Sequence, residues 1–399
     1  MRFLNPDGST AFVLDNDPKN KRAGAFIADG NLKVNLQNGQ RRTVSVTLSN
    51  VDGAFDYDIN HLWFGQEIAL DEGMILPDGS EFYIQQGVFV IGTPTERLFP
   101  ADRTITYELV DKWANLDGTL FGNLEGTYEV PVGTNIYNPI TALLTEDRGN
   151  GTKVDSVTPT YTSYYNTKQQ VLPDGTTEYL VNTPYTLRID GDSGTIADVV
   201  LGLTRMVNAW VGYDSTGSLR VDPSQDDILD ADKPLAWRFS TDDVLFLGAS
   251  YTIKNTEVYN DYIVVGEQMD DYSQPYGRAY NTDPISTTNI ATIGRKTIRE
   301  NAPGYSTTTQ CRDLAVWKLK RSSALQKAIS ISCGQIFHIN ENELVEIIRT
   351  DKPNSPVERH LIMGFSRPLV GTEPMTIDAV SIYDIINTYV VEPADEEEE

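Results

Sequence analysis

Histidine and cysteine are the side chains best suited to bind a metal or to act as nucleophiles, and in this chain they are few and dispersed. His61, His338 and His360 lie far apart, and none belongs to a His-Glu-x-x-His or similar metal-binding pattern. Cys311 and Cys333 flank a predicted helix that, at about 1.5 Å per residue, holds them more than about 20 Å apart, beyond the reach of a disulfide. Packing or surface polarity therefore explains the histidines better than metal binding, and we expect two free thiols.

Two groups of aspartates could serve a calcium site or a carbohydrate hydrolase, both of which depend on carboxylates. The groups are Asp226, Asp227, Asp230 and Asp232, and Asp190 with Asp192. Neither follows the calcium-loop spacing with its closing Glu, and spacing along the chain does not give the separation of carboxyl groups that hydrolysis requires. Loop turns and solvated charge are the favoured interpretation, and Asp192 also precedes a predicted helix cap at Thr195.

Signatures of nucleophilic and nucleotide chemistry are missing from the sequence. It has no Gly-x-Ser-x-Gly elbow, no Cys-His pairing with a recognisable local signature, no phosphate-binding loop and no dinucleotide fingerprint. We therefore predict a protein that is not an enzyme, with no catalytic residue, no metal and no cofactor. A hydrolase is the disfavoured alternative, because no motif supports it.

Charge and length restrict the class of protein and its partners. The 399 residues include 57 acidic and 32 basic groups, which give a formal net charge of −25. Nonspecific binding to naked nucleic acid or to an anionic membrane is therefore disfavoured. The sequence has no run of about 20 apolar residues and no signal-peptide core at its start, so we expect no membrane insertion and synthesis in a cytoplasm. Hydrophobic residues make up 40%, enough for the cores of two to four domains.

Short runs of Val, Thr and Tyr between turn residues favour a mainly β fold with some α structure. In residues 44–48, Val44, Val46 and Leu48 share one face, as in a half-buried strand. Further strands are predicted at residues 65–70, 82–84, 88–92 and 104–110. Turns are predicted at Pro6–Gly8, Asn38–Gly39, Asp52–Gly53, Pro77–Gly79, Asp117–Gly118 and Pro173–Gly175. Five or six strands in about 115 residues suggest an antiparallel barrel, closed or nearly closed, over residues 1–120.

Residues 121–244 have a mixed pattern that predicts an α+β insertion. A helix is expected to begin near Asn138, with Pro139 at its first position. Residues 149–187 are typical of polar strands and loops. The clearest helix follows Thr195 as its cap, because apolar residues then recur at steps of three and four. A hairpin is predicted at 211–221.

The last third of the chain repeats a rhythm of the first. The order of the runs 65–70, 88–92 and 104–111 is matched by the runs 341–348, 361–364 and 375–384. Between them we predict strands at 250–253 and 261–266, a long loop at 268–289, and a helix from about 312 to 329. The arrangement predicts a second, related antiparallel barrel over residues 245–390. An acidic disordered tail is expected at 391–399.

These runs carry a resemblance to a known family. Residues 42–56 followed by 62–66 resemble the opening tube-like barrel of tail hub proteins from bacteriophages and prophages of Gram-positive hosts. Residues 255–266, the helix at 312–329 and residues 364–369 are similar to the second barrel of the same hubs. The resemblance covers nearly the whole chain, in pattern more than in diagnostic residues.

The resemblance implies a baseplate or tail-tip hub in the virion tail, with a geometric role. Hubs of this family are homotrimers in which two tube-like barrels per chain give six barrels around a channel. The implied partners are a tail tube or distal tail protein on one side and a spike or fibre protein on the other, together with a tape measure protein. Phage DNA passes only in transit, and acidic channel walls would let it slide. The net charge is equally explained by solubility.

Two surface features remain open at this point. Basic groups at Lys19–Arg22, Arg41–Arg42, Arg295–Arg299 and Lys318–Lys327 are either solvated surface or contacts to acidic neighbouring subunits. The helix at 312–329 is the preferred interface candidate. Tyrosines at 161–165 and 272–280 could stack on sugars, which gives the alternative of a receptor- or carbohydrate-binding tail protein.

Overall fold

The computed structural model describes residues 1–5, 7–16, 25–53, 55, 65–99, 102–149, 151–171, 176–223, 234–253, 258–268, 272, 274–302, 305, 308–323, 325–352, 357–383 and 388–392. His61, residues 62–64, Lys19–Arg22, residues 173–175, Asp226–Asp232 and residues 393–399 carry predictions that lie outside this part. Within it, no helix is both long and apolar enough to cross a membrane.

The amino-terminal part is a run of antiparallel strands. They are β1 (Arg2–Leu4), β2 (Thr10–Val13), β3 (Ala25–Asn35), β4 (Arg42–Asn50), β5 (Glu67–Ile75), β6 (Glu81–Phe99) and β7 (Asp102–Asp111). The predicted turns join them, because Gly8, Gly39 and Gly79 adopt the positive φ that tight turns require. The strands predicted from alternation up to residue 111 are confirmed.

An insertion follows a 3-10 turn at Lys112–Asn115. Its elements are β8 (Tyr128–Val130), α1 (Tyr137–Leu144), β9 (Thr160–Tyr161), α2 (Tyr164–Thr167), β10 (Gln169–Val171), β11 (Thr177–Tyr179), β12 (Leu187–Ile189), α3 (Ile196–Met206), β13 (Ala209–Tyr213) and β14 (Leu219–Pro223). The Thr195 cap is confirmed, with a reciprocal capping box to Asp198. The cap expected at Asn138 is wrong, because that residue lies inside α1 and Asn135 accepts the N–H of Tyr137 instead.

The remaining elements form two separate sheets. They are β15 (Leu235–Ser240), β16 (Phe246–Ile253), β17 (Asp261–Val265), β18 (Tyr276–Asn281), α4 (Ile290–Ile293), β19 (Thr297–Asn301), α5 (Thr308–Ser322), β20 (Leu325–Cys333), β21 (Leu344–Ile348), β22 (Glu358–Pro368), β23 (Met375–Tyr383) and β24 (Tyr389–Val391). Strands β17, β18, β19 and β24 make a four-stranded sheet covered by α5. The other strands of this part join the large sheet. The four-stranded sheet with α5 is therefore an extra module within the interval 245–390. Strand β15, from the interval 121–244, pairs with β21.

Three expectations for this region need correction. The helix expected at 312–329 ends at Ser322, because Ala328 to Cys333 alternate in the strand period and form β20. The loop expected at 268–289 contains strand β18. The first two residues of the tail expected to be disordered are ordered, since Val391 is paired in β24 and the N–H of Glu392 donates to the carbonyl of Arg278.

The large sheet contains the same strand order twice. The first sheet unit has the order β3-β4-β7-β6-β5, and the second sheet unit has the order β16-β20-β23-β22-β21. A bulge opposite Leu48 in β3 recurs opposite Cys333 in β16. Buried residues coincide as well, with Val44, Val46 and Leu48 matching Ile329, Ile331 and Cys333. The echo read from the sequence is therefore a repeat of topology.

The two units share one open sheet. Strand β22 pairs antiparallel with β3, and one hydrophobic cluster runs through both units. The structure thus shows a mainly β chain with a 13-stranded sheet, whereas two antiparallel barrels, closed or nearly closed, were expected. Among the described strands, no ladder joins β3 to β5 or β16 to β21, so neither unit closes into a cylinder on its own.

Close approach of β22 and β3 requires Gly364. A Cβ at this residue would overlap the carbonyl oxygen of Val34, which is backbone and cannot move aside. We predict that Gly364→Ala lowers the free energy of unfolding by about 1–3 kcal/mol through overpacking, measured by urea denaturation. Gly126→Ala is the matched control, because a Cβ there meets open space. Equal stability of both variants would contradict the close approach.

Candidate assembly site

The junction between the two sheet units is a short antiparallel ladder. Its pairs run from Gly364 opposite Asn35 to Pro368 opposite Asn31. Val34 and Phe365 face each other inside the core, and both are almost completely buried. The backbone groups of residues more than 320 positions apart in the chain are therefore each other's hydrogen-bond partners. The junction holds the two repeats in one fixed arrangement.

Arg367 extends from this ladder into the first sheet unit. Its side chain is fully buried, and its Nη2 contacts Glu72 in β5 as an ion pair. The same nitrogen lies 2.5 Å from Oε1 of Gln86, while Nη1 donates to the carbonyl of Ile336 at 2.6 Å. One guanidinium thus ties β22 to both β5 and β6. Arg is suited to this task because its planar fork offers several donors at fixed angles.

Arg42 makes the reciprocal connection from the first unit to the second. This side chain at the start of β4 is buried, and its Nη2 lies 2.5 Å from Glu341 of the second unit. Its Nη1 donates to the carbonyl of Gln86 at 2.9 Å. Arg41 lies 3.6 Å from the same Glu341 carboxylate. The junction therefore has an ion pair in each direction.

Asp111 fixes the backbone from which these arginines project. One carboxylate oxygen accepts the N–H groups of Arg41 and Arg42 at 2.7 and 2.9 Å, and the other accepts that of Trp113 at 3.1 Å. Burial raises the pKa of Asp111 to about 6 in spite of these bonds. Asp111 ends β7 and sets the 3-10 turn that leads to the insertion.

Burial makes these ion pairs costly to break. Desolvation raises the pKa of Glu72 and lowers that of Arg367, while each partner opposes the shift of the other. The network therefore specifies one alignment of the two units more than it adds net stability.

Removing one charge from the Arg367–Glu72 pair tests this account. We predict that Arg367→Met lowers the free energy of unfolding by about 3–5 kcal/mol, because Glu72 is left buried without its counter-ion. The double variant Glu72→Met, Arg367→Met should recover a large part of the loss. Urea unfolding of the three proteins measures both effects. Lys318→Met is the control, since its ion pair with Glu300 is partly exposed and should cost no more than about 1 kcal/mol.

A third buried ion pair anchors the insertion to the first sheet unit. The Nζ of Lys112 lies 2.5 Å from Oδ1 of Asp155, and both side chains are 1% exposed. The hydroxyl of Tyr213 donates to the other carboxylate oxygen at 2.8 Å. Burial and the adjacent carboxylate raise the pKa of Tyr213 well above its usual range. This group connects the turn after β7 to strand β13, so the insertion is held by charge as well as by its own apolar core.

His360 occupies a buried position beside the outer strands of the second unit. Its side chain is 0% exposed, and its Nε2 lies 3.5 Å from Glu358. Burial lowers the pKa of His360 to about 4, and Lys327 also opposes protonation. The ring of Tyr251 lies nearby, with its hydroxyl 3.1 Å from Glu358. His360 is therefore a neutral packing residue at pH 7.

The depressed pKa of His360 predicts an acid-sensitive fold. An unfolded chain binds this proton near pH 6.5 and the folded chain near pH 4, so stability is fully present above about pH 6.5 and falls as the pH drops toward 4. We predict that the wild type loses about 3 kcal/mol more than His360→Leu across this window. Urea unfolding at several pH values measures the difference. His338→Gln, at an exposed ring, should behave as the wild type, and parallel pH curves for wild type and His360→Leu would contradict the prediction.

The structure separates the residues that the sequence suggested for chemistry. Cys311 and Cys333 are buried free thiols, and burial raises their pKa values to about 11 and about 12. His338 contacts the carbonyl of Ala236. Among the described residues, no three His, Cys, Asp or Glu side chains lie close enough to hold a metal ion.

The suggested surface features also change meaning. Arg41 and Arg42 are neither solvated nor available to a neighbouring subunit, because they are buried within their own chain. Helix α5 buries its apolar side in its own module, and Lys320 covers the ring of Tyr389. Tyr161 stacks on Tyr137. At these positions the aromatic and basic groups serve packing.

Sequence reasoning missed Arg367, Glu72 and Glu341 as members of one site. A local signal existed for the arginines: Arg42 shares a strand face with Val44, and Arg367 shares one with Phe365. A charged residue on an apolar strand face indicates a buried partner. The identity of that partner depends on the pairing of β3 with β22.

Comparison with known proteins finds similar folds but no similar sequences. The sequence matched no protein-family model and no curated protein. Among solved structures, the chain is similar to the tail protein from Neisseria meningitidis MC58, with 9% identity, 90% of this chain and 93% of that chain covered, and a TM-score of 0.56. The 43 kDa tail protein of prophage MuSo2 from Shewanella oneidensis is 12% identical, with 90% of this chain and 96% of that chain covered and a TM-score of 0.56. Prophage tail protein gp18 from Listeria monocytogenes EGD-e is 9% identical, with 90% of each chain covered and a TM-score of 0.51. The chain shares the fold of these tail proteins over most of its length.

Proposed function

We propose that this chain is the structural hub of a phage tail tip or baseplate. The observation that carries the proposal is the repeated strand order within one polypeptide, joined through the pairing of β3 with β22. The similar folds of tail proteins from three bacteria support it. No enzymatic role is needed to explain the arrangement.

The repeat gives the hub its geometric role. Two related units per chain allow three chains to present six similar units around an axis. In the proposed assembly, the first tube-like domain lies within residues 1–120, and the second is built on residues 235–253 and 325–383. A homotrimer of this kind would join a sixfold tail tube, or a distal tail protein, to a threefold spike or fibre. A tape measure protein is a further candidate partner.

Charge suits the proposed passage of DNA. The formal net charge of −25 disfavours retention of an anionic polymer, because few phosphates could be neutralised with release of counterions. Phage DNA would therefore pass through the ring without specific binding. The hub would be assembled in the bacterial cytoplasm and act in the virion tail.

Stoichiometry tests the proposal directly. We predict a solution mass three times the 44.4 kDa of the chain, measured by light scattering. Electron micrographs of the particle, viewed along the axis, should show a ring with six similar lobes. A monomer in solution together with tails that lack such a ring would refute the hub. A monomer alone is weaker evidence, since partners can drive assembly.

A further inference from the structure

Several strand edges of the large sheet have no partner strand among the described residues, and two of them belong to β6 and β16. Strand β5 pairs with β6 only up to Val90, so the same edge of β6 is open from Gly92 to Phe99. The outer edge of β16 is open along its length, since β16 pairs only with β20. Open edges expose backbone N–H and C=O groups that can accept another strand.

The internal junction shows how these two edges can fit together. Strand β22 pairs with β21 along its first part and then with β3 along its last part, on the same edge. Strand β6 is the equivalent of β22 in the first unit, and both strands carry a bulge at the equivalent place, after Ile91 in one and after Ile362 in the other. Strand β16 is the equivalent of β3. The open half of β6 and the edge of β16 are thus the second copy of the junction, left unoccupied within one chain.

The repeat also sets a register. Pro94 of β6 is the equivalent of Phe365 of β22, because the two residues pair with equivalent positions of β7 and β23. Ile253 of β16 is likewise the equivalent of Val34 of β3, because the two residues pair with equivalent positions of β20 and β4. Because Phe365 pairs with Val34 in the internal junction, Pro94 is expected opposite Ile253. Three further pairs follow, namely Thr95 with Thr252, Glu96 with Tyr251, and Arg97 with Ser250.

Burial at equivalent positions supports this pairing. Val34 is 0% exposed in the internal junction, whereas its counterpart Ile253 is 59% exposed. Leu247, also on β16, is exposed to a similar extent. An edge strand with exposed large aliphatic side chains is a feature that soluble proteins normally avoid unless a partner covers it.

Charge complementarity specifies the occupant. In the internal junction, Arg367 inserts toward Glu72. Its equivalent, Glu96, would lie opposite Tyr251, whose ring is approached by Arg349 at 5.7 Å. Lys327, which covers the same ring at 4.0 Å, is already paired with Glu358 at 3.1 Å, so Arg349 is the cation that Glu96 would meet. The charges are reversed relative to the internal junction, but in both places an acidic side chain meets a basic one. Glu96 now contacts Arg103, and Arg349 now contacts Asp351, in partly exposed pairs that are easily exchanged.

We propose that the open half of β6 in one protomer pairs with the edge of β16 in a second copy of the chain, in the register Pro94–Ile253 to Arg97–Ser250. The inference rests on the proposed hub and adds its subunit interface. The contact joins two different edges, so it is heterologous and repeats around a rotation axis until the ring closes. Three chains would then alternate three internal and three intersubunit junctions.

Disulfide trapping tests the register. Thr95→Cys and Thr252→Cys, combined in one chain, should give covalent trimers on a non-reducing gel after mild oxidation, and monomers after reduction. A mixture of the two single variants should give covalent dimers only. The matched control is Thr95→Cys with Thr177→Cys, which places the second thiol on an exposed strand of the insertion. The native thiols are buried and should not contribute.

Charge reversal provides a second measurement. Glu96→Lys should weaken the trimer at least tenfold in dissociation constant, and combination with Arg349→Glu should restore a part of it. If light scattering shows trimers but the Thr95→Cys, Thr252→Cys double variant does not cross-link, the edge pairing is overturned and the proposed hub stands. Absence of trimers and cross-links in solution, together with assembled tails that lack a six-lobed ring, would overturn both proposals. Covalent chains longer than three would support the pairing and contradict the threefold ring.

Discussion

The antiparallel pairing of β3 with β22 is the interaction on which the rest of this structure depends. It satisfies the backbone groups of two strands from opposite ends of the chain. It also merges the apolar faces of the two sheet units into one hydrophobic cluster. Without it, each unit would expose an edge and an incomplete core. The fold is therefore a joined pair of repeats rather than two independent domains.

Buried charge makes this joining specific. Hydrophobic burial rewards any arrangement that removes apolar surface from water, and it distinguishes poorly between neighbouring registers. Arg367 and Arg42 each require one particular carboxylate, Glu72 and Glu341 respectively. A shifted register would leave these charges without partners in a medium of low dielectric constant. The cost of such mispairing is larger than the net gain of the correct pairs.

Chain segments added to the repeat sit outside the shared sheet. The insertion between β7 and β15 has its own apolar core and a buried Lys112–Asp155 anchor. The module of β17, β18, β19, β24 and α5 is built from the segment between β16 and β20 and from β24, which follows β23. Both additions leave the strand order of the units unchanged. A duplicated framework can thus carry different attachments in its two copies.

The sequence alone determined the local structure of this protein. Alternation identified β4 and the strands up to residue 111, turn glycines located the hairpins, and Thr195 with the apolar stripe after it defined α3, because these features depend on residues only a few positions apart. Even the repeat was visible as an order of runs. Only the tertiary structure decided that β22 pairs with β3 and that Arg367 meets Glu72. Those outcomes depend on strand edges nearly 300 or more residues apart, and the energy of such a pair is set by burial that no local pattern records.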